Sequence, residues 1–302
     1  MIDLLRRGPE LLAEPWDACQ MLSPPPTHPD HGLAVVPLLS PTLPPAQHTN
    51  MVWVGRERRW IVDPAAHTPE EQKRALEILA EHRGDLGWEG VLLTHHHRDH
   101  VAAANVISDG LGIPIAAHPI TADLLAGKIK VDRTLEEGDV VVGSDAPDDQ
   151  WRVLHTPGHA SGHIVLWEPT RGWLVAGDMI AAVGTIIIEP PDGHMTTYLE
   201  QLQRLVDLHP RRLVPAHGEV VEDPVTRLRA YIAHRLERES KVRLALSKGP
   251  ADLPELTRRS YPELDPVLLP LAECSCLAHL IRLEEEGEAH GSGVVWSVAG
   301  EA

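Results

Sequence analysis

Residues 94–100 read Thr-His-His-His-Arg-Asp-His, a run in which His95, His97, Asp99 and His100 follow the spacing His-x-His-x-Asp-His. Imidazole and carboxylate are the ligand types that zinc, iron and manganese accept. On extended backbone, His95 and His97 point two rings towards one ion. Asp99 and His100, on a backbone that turns, face a second ion beside it. The run is internal and follows the apolar Val91-Leu92-Leu93, which distinguishes it from a terminal purification tag. His96 is expected to point away from the ions.

Three further segments pair a ligand-type residue with small or kinking neighbours that let backbone approach a buried ion. They are Thr156-Pro157-Gly158-His159, Ala176-Gly177-Asp178 and Val214-Pro215-Ala216-His217-Gly218. Each follows a strand-like run, at residues 151–154, 173–175 and 211–214, so the ligands would stand at strand ends. Taken singly, His159 and His217 read equally well as hydrogen-bonded loop histidines, and Asp178 as a turn former. Ser161 reads as a hydroxyl donor beside His159, His163 as a structural histidine inside the same loop, and His155 as a strand residue outside the site.

In this chain order these motifs resemble the ligand signature of the metallo-β-lactamase-fold hydrolases, over residues 33–221. The resemblance implies an αββα sandwich. It also implies two divalent metal ions per chain, Zn²⁺ first, with Mn²⁺ or Fe²⁺ as alternatives. His95, His97 and His159 would hold one ion, Asp99, His100 and His217 the other, and Asp178 would bridge them. Such a pair holds a metal-bound hydroxide at neutral pH, the nucleophile for an ester, thioester or phosphodiester. Asp99 is the candidate catalytic acid or base. The resemblance also implies that an aspartate in the place of Asp63 supports the metal-binding loop, while from the residues alone Asp63 reads equally as the start of the turn at Asp63-Pro64. After Asp99-His100, similar proteins carry glycines where this chain has Val101-Ala102-Ala103, which bears on the width of the pocket.

A narrower resemblance lies in Gly177-Asp178-Met179-Ile180, Gly184-Thr185, Met195-Thr196-Thr197-Tyr198-Leu199 and residues 231–239. These segments are similar to the subgroup of beta-lactamase-like protein 2, whose members carry a winged-helix-like C-terminal domain. Some of that subgroup are single-strand endoribonucleases, and fungal acyl-carrier-protein thioesterases are similar too. A mononuclear-iron persulfide dioxygenase, its iron on His95, His159 and Asp178, is a further alternative. So is a metal-stabilised scaffold without activity.

The elements that must deliver these residues can be read from periodicity. Residues 33–39 form a first strand, and 51–54 with 59–63 a hairpin across Gly55-Arg56-Glu57-Arg58. Thr68-Pro69-Glu70-Glu71 is a capping box with proline at the first helical position, and Ala75, Leu76, Leu79 and Ala80 form the inward stripe of the helix it starts. Strand 91–93 carries the histidine cluster, and Ala102-Ala103-Ala104 begin a helix behind it. Residues 195–209 form an amphipathic helix with Leu199, Leu202, Leu205 and Val206 inward. The alternation supports a mixed α/β class. The tail predicts helices over 252–260 and 266–286, a turn at Gly291-Ser292-Gly293 and a strand over 294–298. The expected division is a catalytic domain over 1–239 and a small, mainly helical winged-helix-like domain over 240–302.

Composition narrows the partners. The 302 residues suffice for a sizeable core with a small second domain. A charge of −17 repels polyanions. Residues 270–289 hold five glutamates against one arginine, the wrong charge for a DNA-reading helix. Residues 226–248 reverse the sign, with seven Lys/Arg against two Glu, and offer a candidate cleft wall through Arg235, Arg238 and Lys241. The expected partner is a small-molecule or acyl-type substrate, with single-stranded RNA as the alternative and DNA set aside. The residues that bind it are unknown. No leader opens residues 1–9, no stretch approaches a membrane span, and the three cysteines, Cys19, Cys274 and Cys276, form no disulfide framework, so a cytoplasmic protein without membrane partners is expected. Cys274 and Cys276 read as buried structural thiols.

Overall fold

The computed structural model describes residues 23–83 and 87–300. The leader reading of residues 1–9 and Cys19 lie outside the described residues.

Alternating apolar residues on the strands build three stacked cores. Strands β1 (Thr27–Asp30), β2 (Leu33–Leu39), β3 (His48–Val54), β4 (Arg59–Val62), β5 (Trp88–Leu93), β6 (Ile115–Ala117) and β7 (Arg133–Thr134) form one sheet in chain order. Strands β8 (Val140–Val142), β9 (Gln150–His155), β10 (Ile164–Glu168), β11 (Trp173–Val175) and β12 (Arg212–Val214) form a second, ordered β12-β11-β10-β9-β8. Leu33, Val35, Val52, Trp60 and Leu92 of the first sheet meet Trp151, Val153, Leu166 and Trp173 of the second in a shared interior. Successive residues point to opposite faces. Ala34, Val36, Met51, Trp53 and Ile61 therefore pack outward under helices α1 (Pro69–Glu81) and, beyond the short turns α2 (Arg98–Val101), α3 (Ala104–Leu111). On the far side, beyond α4 (Pro119–Leu124), Val165, Trp167 and Leu174 lie under Leu199, Leu202, Leu205 and Val206 of α5 (Met195–Asp207). The result is the αββα sandwich.

Several local readings are amended. Thr68 caps α1 by accepting from the Glu71 N–H at 3.2 Å. Glu71 does not reach back; its carboxylate accepts from Leu39 N–H and Arg74, tying the helix to β2. Ala80 is exposed, because the stripe ends at Leu79. The helix after His100 is interrupted at Ala102-Ala103, so a single turn carries Asp99 and His100 before α3 starts.

Helix α6 (Pro224–Leu246) runs unbroken through residues 239 and 240. Its first half packs on α5 and its second half enters another core, where Val242, Ala245 and Leu246 meet Leu256 of α7 (Leu253–Ser260) and Cys276, Leu280 and Leu283 of α8 (Leu269–Glu285). The predicted turn at 291–293 is instead part of a hairpin. Strand β14 (Ala289–Ser292) turns at Gly293, whose φ is 65°, into β15 (Val295–Val298), which also pairs with β13 (Ala251–Asp252). Three helices with this small sheet make the winged-helix module. Cys276 is buried and Cys274 only half-buried; burial pushes both thiols up to about 11. Pro266–Glu285 is long and apolar enough by length and composition to cross a membrane, contrary to the reading that no stretch approaches a span. Glu273 and Arg282 interrupt its apolar run, and its Cys276–Leu283 side is used by the module's core.

The expected cleft wall on α6 is not free. Arg235 is buried, Arg238 stacks over the Tyr261 ring at 5.0 Å, and Lys241 pairs with Glu237 at 2.8 Å. Glu239 is buried between Arg282, at 2.5 Å, and His279. Burial alone would raise its pKa, but hydrogen bonds from His279 and Arg282 lower it overall. A carboxylate held below its unfolded value of about 4.3 contributes stability above that pH and loses it as pH falls through the folded value. Glu239→Gln should therefore cost about 3 kcal/mol at pH 7, as expected for breaking a buried pair. The gap from the parent should begin to narrow as pH falls below about 4.3 in denaturant titrations and go on narrowing through the folded value.

Candidate metal centre

All seven ligand-type residues singled out in the sequence converge at one edge of the sandwich, delivered by the ends of β5, β9, β11 and β12. His95 Nε2, His97 Nδ1 and His159 Nε2 form a triangle with edges of 3.0, 3.0 and 3.3 Å. A tetrahedral ion with metal–nitrogen bonds of about 2.0–2.1 Å separates its donors by about 3.3 Å, so the triangle has the size of an ion's face. On the other side, His217 Nε2 lies 3.7 Å from Asp99 Oδ2, and these two with His100 form a second group. Asp178 stands between the groups. Its Oδ2 is 3.5 Å from His159 Nε2, while its Oδ1 is 3.5 Å from His100 Nε2 and 3.3 Å from His217 Nε2.

The opposite ring nitrogens show which lone pairs face inward. His159 Nδ1 donates to the Ile187 carbonyl at 2.7 Å, His217 Nδ1 to the His48 carbonyl at 3.0 Å, and His100 Nδ1 to Asp63 Oδ2 at 2.8 Å. Thr94 gives its own hydroxyl proton to Asp63, at 2.6 Å, and so accepts from His95 Nδ1 at 3.0 Å. Each of these four rings thus spends its Nδ1–H outward and turns Nε2 to the centre. His100 Nε2 and Asp178 Oδ1 are buried without a hydrogen-bond partner. Converging lone pairs and orphaned buried acceptors are what a cation would satisfy. The donor set therefore fits a divalent metal.

Burial lowers the pKa of His95, His97 and His159, the first two well below the ordinary imidazole value, so that triad is neutral. Burial also opposes a proton on His100, but the carboxylates of Asp178, Asp63 and Asp99 overcome it and raise its pKa well above the ordinary value. Asp178 raises His217 in the same way.

The supports are as specific as the donors. Asp63 adopts φ 49°, a left-handed conformation that a non-glycine residue holds only when its surroundings enforce it. Its carboxylate accepts from Thr94 N–H, Thr94 Oγ1 and His100 Nδ1, and so clamps the end of β5 to the turn carrying His100. His163 Nε2 accepts from the Asp178 N–H at 3.1 Å and Nδ1 donates to Thr156. Gly177 leaves room for that ring, since a Cβ would stand 2.6 Å from His163 Nε2. Gly158 likewise lets the His159 loop touch the backbone of Tyr198.

Ser161 departs from its reading, because its hydroxyl donates to Asp192 at 2.5 Å rather than to a ligand. His96 lies beside His97 with Nε2 turned towards Asp192, at 3.9 Å. His155 stacks on His118, with ring centroids 4.0 Å apart. Sequence reasoning missed Asn50, whose side chain donates to the carbonyls of Pro215 and Gly218 and whose backbone N–H donates to Ala216 O, holding the His217 loop in register. A buried amide in the otherwise apolar run 50–54 was its one available signal.

Residues 44–217 match the metallo-beta-lactamase superfamily. The chain belongs to that superfamily. Residues 253–296 match the beta-lactamase associated winged helix domain. Among relatives of this superfamily chain is the Beta-lactamase-like protein 2 homolog of Drosophila melanogaster, 27% identical, with 82% of this chain and 86% of that protein covered. Another is the Atrochrysone carboxyl ACP thioesterase dmxR1 of Cryptosporiopsis sp., 29% identical over 67% of this chain and 59% of that protein. A beta-lactamase domain protein from Burkholderia ambifaria shares the fold with a TM-score of 0.77 at 24% identity, covering 94% of this chain and 97% of that one.

Removing the Asp63 carboxylate should unlock His100 directly and loosen His95 only at one remove, through the Thr94 hydroxyl. We expect Asp63→Ala to weaken metal binding about 10–100-fold at the His100 side. Competition with a chromogenic chelator should show one tight and one weakened ion per chain, and unchanged binding of both would contradict the clamp.

Proposed function

We propose that this superfamily member is a dinuclear metal-dependent hydrolase acting on an acyl ester or thioester. The observation that carries the proposal is Asp178, whose two oxygens face two separate donor groups, 3.5 Å from His159 on one side and 3.3 Å from His217 on the other. The division is His95, His97 and His159 for one ion, Asp99, His100 and His217 for the other, with Asp178 between. Divalent ions there would lower the pKa of water and polarise a carbonyl oxygen. Asp99 has a side chain 20% exposed against 9% for Asp178. It is thus the carboxylate open to the substrate, placed to take a proton from the water whose oxygen joins the acyl carbon and to pass it to the thiolate or alkoxide that leaves.

The surroundings of the site favour an acyl group over a polyanion. Residues 36–47 and 179–188 contain no charged residue. Thr42 of the first stretch has its hydroxyl 3.5 Å from His217 Nε2, and the two stretches meet where Pro45 faces Gly184. Leu43 and Val183 stand 42% and 40% exposed on this lip. A phosphodiester chain lying across it would find no cation, whereas an acyl chain would bury apolar surface. Of the α6 cations expected to line a cleft for RNA, Arg235 is buried, Arg238 stacked and Lys241 paired. The name of the Cryptosporiopsis relative, a thioesterase, supports the same class.

The test begins with chelation, which should abolish hydrolysis of a short acyl-thioester panel, and reloading with Zn²⁺ or Mn²⁺ should restore it. Elemental analysis should give two ions per chain; one iron with oxygen uptake would favour the dioxygenase. Asp178→Ala should lose at least about 10³-fold in kcat and both ions' tight binding, while His217→Ala should keep one ion. Rapid, steeply salt-dependent cleavage of unstructured RNA, lost in Asp178→Ala and with the thioesters untouched, would overturn the substrate class.

A further inference from the structure

Segment 179–187 connects to three of the seven donors. It leaves directly from Asp178. Ala182 N–H donates to the His217 carbonyl at 2.8 Å, and the Ile187 carbonyl fixes the His159 ring at 2.7 Å. Its own backbone is held from outside by side chains of α5 and α6. Tyr198 donates to Met179 O at 2.7 Å, Arg227 to Ala181 O at 2.9 Å, and Tyr231 bonds both backbone groups of Ala181 at 3.0 Å. Arg235 donates through Nη2 to Ile186 O, the carbonyl immediately before the one that orients His159.

Arg227, Tyr231 and Arg235 are spaced four apart and therefore lie on one face of α6. The next two steps of that ladder turn to the winged-helix module, where Glu239 meets His279 and Arg282, and Arg243 meets Glu288. Arg235 sits at the changeover. It is 4% exposed, its guanidinium lies 5.5 Å over the Tyr198 ring, and its Nε has no partner. Burying a guanidinium costs several kcal/mol unless bonds and stacking offset it. An apolar side chain of that volume would fill the space at less expense, so packing alone does not account for a cation there. What an apolar residue could not do is grip Ile186.

We propose that Arg235 is a positioning residue of the metal centre, setting the orientation of His159 through the Ile186–Ile187 backbone. The inference rests on the donor set binding metal and is independent of which bond is hydrolysed. Arg235→Met should weaken the ion on the His159 side about 10–100-fold, shift the visible spectrum of the Co²⁺-loaded protein, and lower kcat more than it raises KM. Arg235→Lys keeps one charged donor and should restore part of both metal readouts, and it serves alone if the Met variant does not fold. Leu79→Ala, which costs stability in the opposite helical layer, should leave cobalt affinity and spectrum unchanged. The proposal fails if Arg235→Met, or Arg235→Lys where only that folds, binds Co²⁺ as the parent does with the parent's spectrum, or if Leu79→Ala shifts them as much. These readouts need no turnover, so a parent protein that binds two ions but hydrolyses no acyl substrate would sink the proposed function alone.

Discussion

Lone pairs aimed at one another in a dry space repel, and this chain brings seven lone-pair donors to one edge of a sandwich. Folding without a cation must hold that repulsion against everything around it. Four of the donors accordingly have a dedicated outward bond. His95 leans on Thr94, His100 on Asp63, His159 on Ile187 and His217 on His48. The carboxylate clamp of Asp63 matters most, since it serves β5 and the His100 turn together and is held in a backbone conformation that would relax if its three donors were removed. Two sheets buried on both faces give these supports a rigid base.

The donors were legible in the sequence because metal chemistry demands particular residue types, and four of them fall within one short run. His159, Asp178 and His217 could be read once their order was considered, since each ends a strand and is followed or preceded by glycine. Asp63 was legible for a similar reason, at the end of an apolar strand before a proline. Alternation supported only a mixed α/β class and the layering came from the resemblance; the structure turns Leu33 and Val35 one way and Ala34 and Val36 the other.

What escaped reading works through backbone groups or distant pairings. Ile187 acts through its carbonyl, which every residue has. Asn50 acts on residues 215 and 218, and Arg235 on residue 186, separations that leave no local pattern. The positive charge of residues 226–248 was visible, but its direction was not. An arginine facing a carbonyl inside the protein and one facing solvent are the same letter. In the tail, β13 has two residues and β14 contains Gly291, so neither carries enough alternation to announce a strand.

The unbroken course of α6 has a consequence for how this molecule can change. A chain that acquires a second domain through a flexible linker can lose or exchange it with little damage, but here Val242, Ala245 and Leu246 belong to the second core while Leu228 belongs to the first. Any cut in the helix bares one of them, and a cut after it leaves an apolar stub in water. The winged-helix module is thus tied to the sandwich of this chain by a shared helix, so that a change which moves the helix on one side is felt on the other.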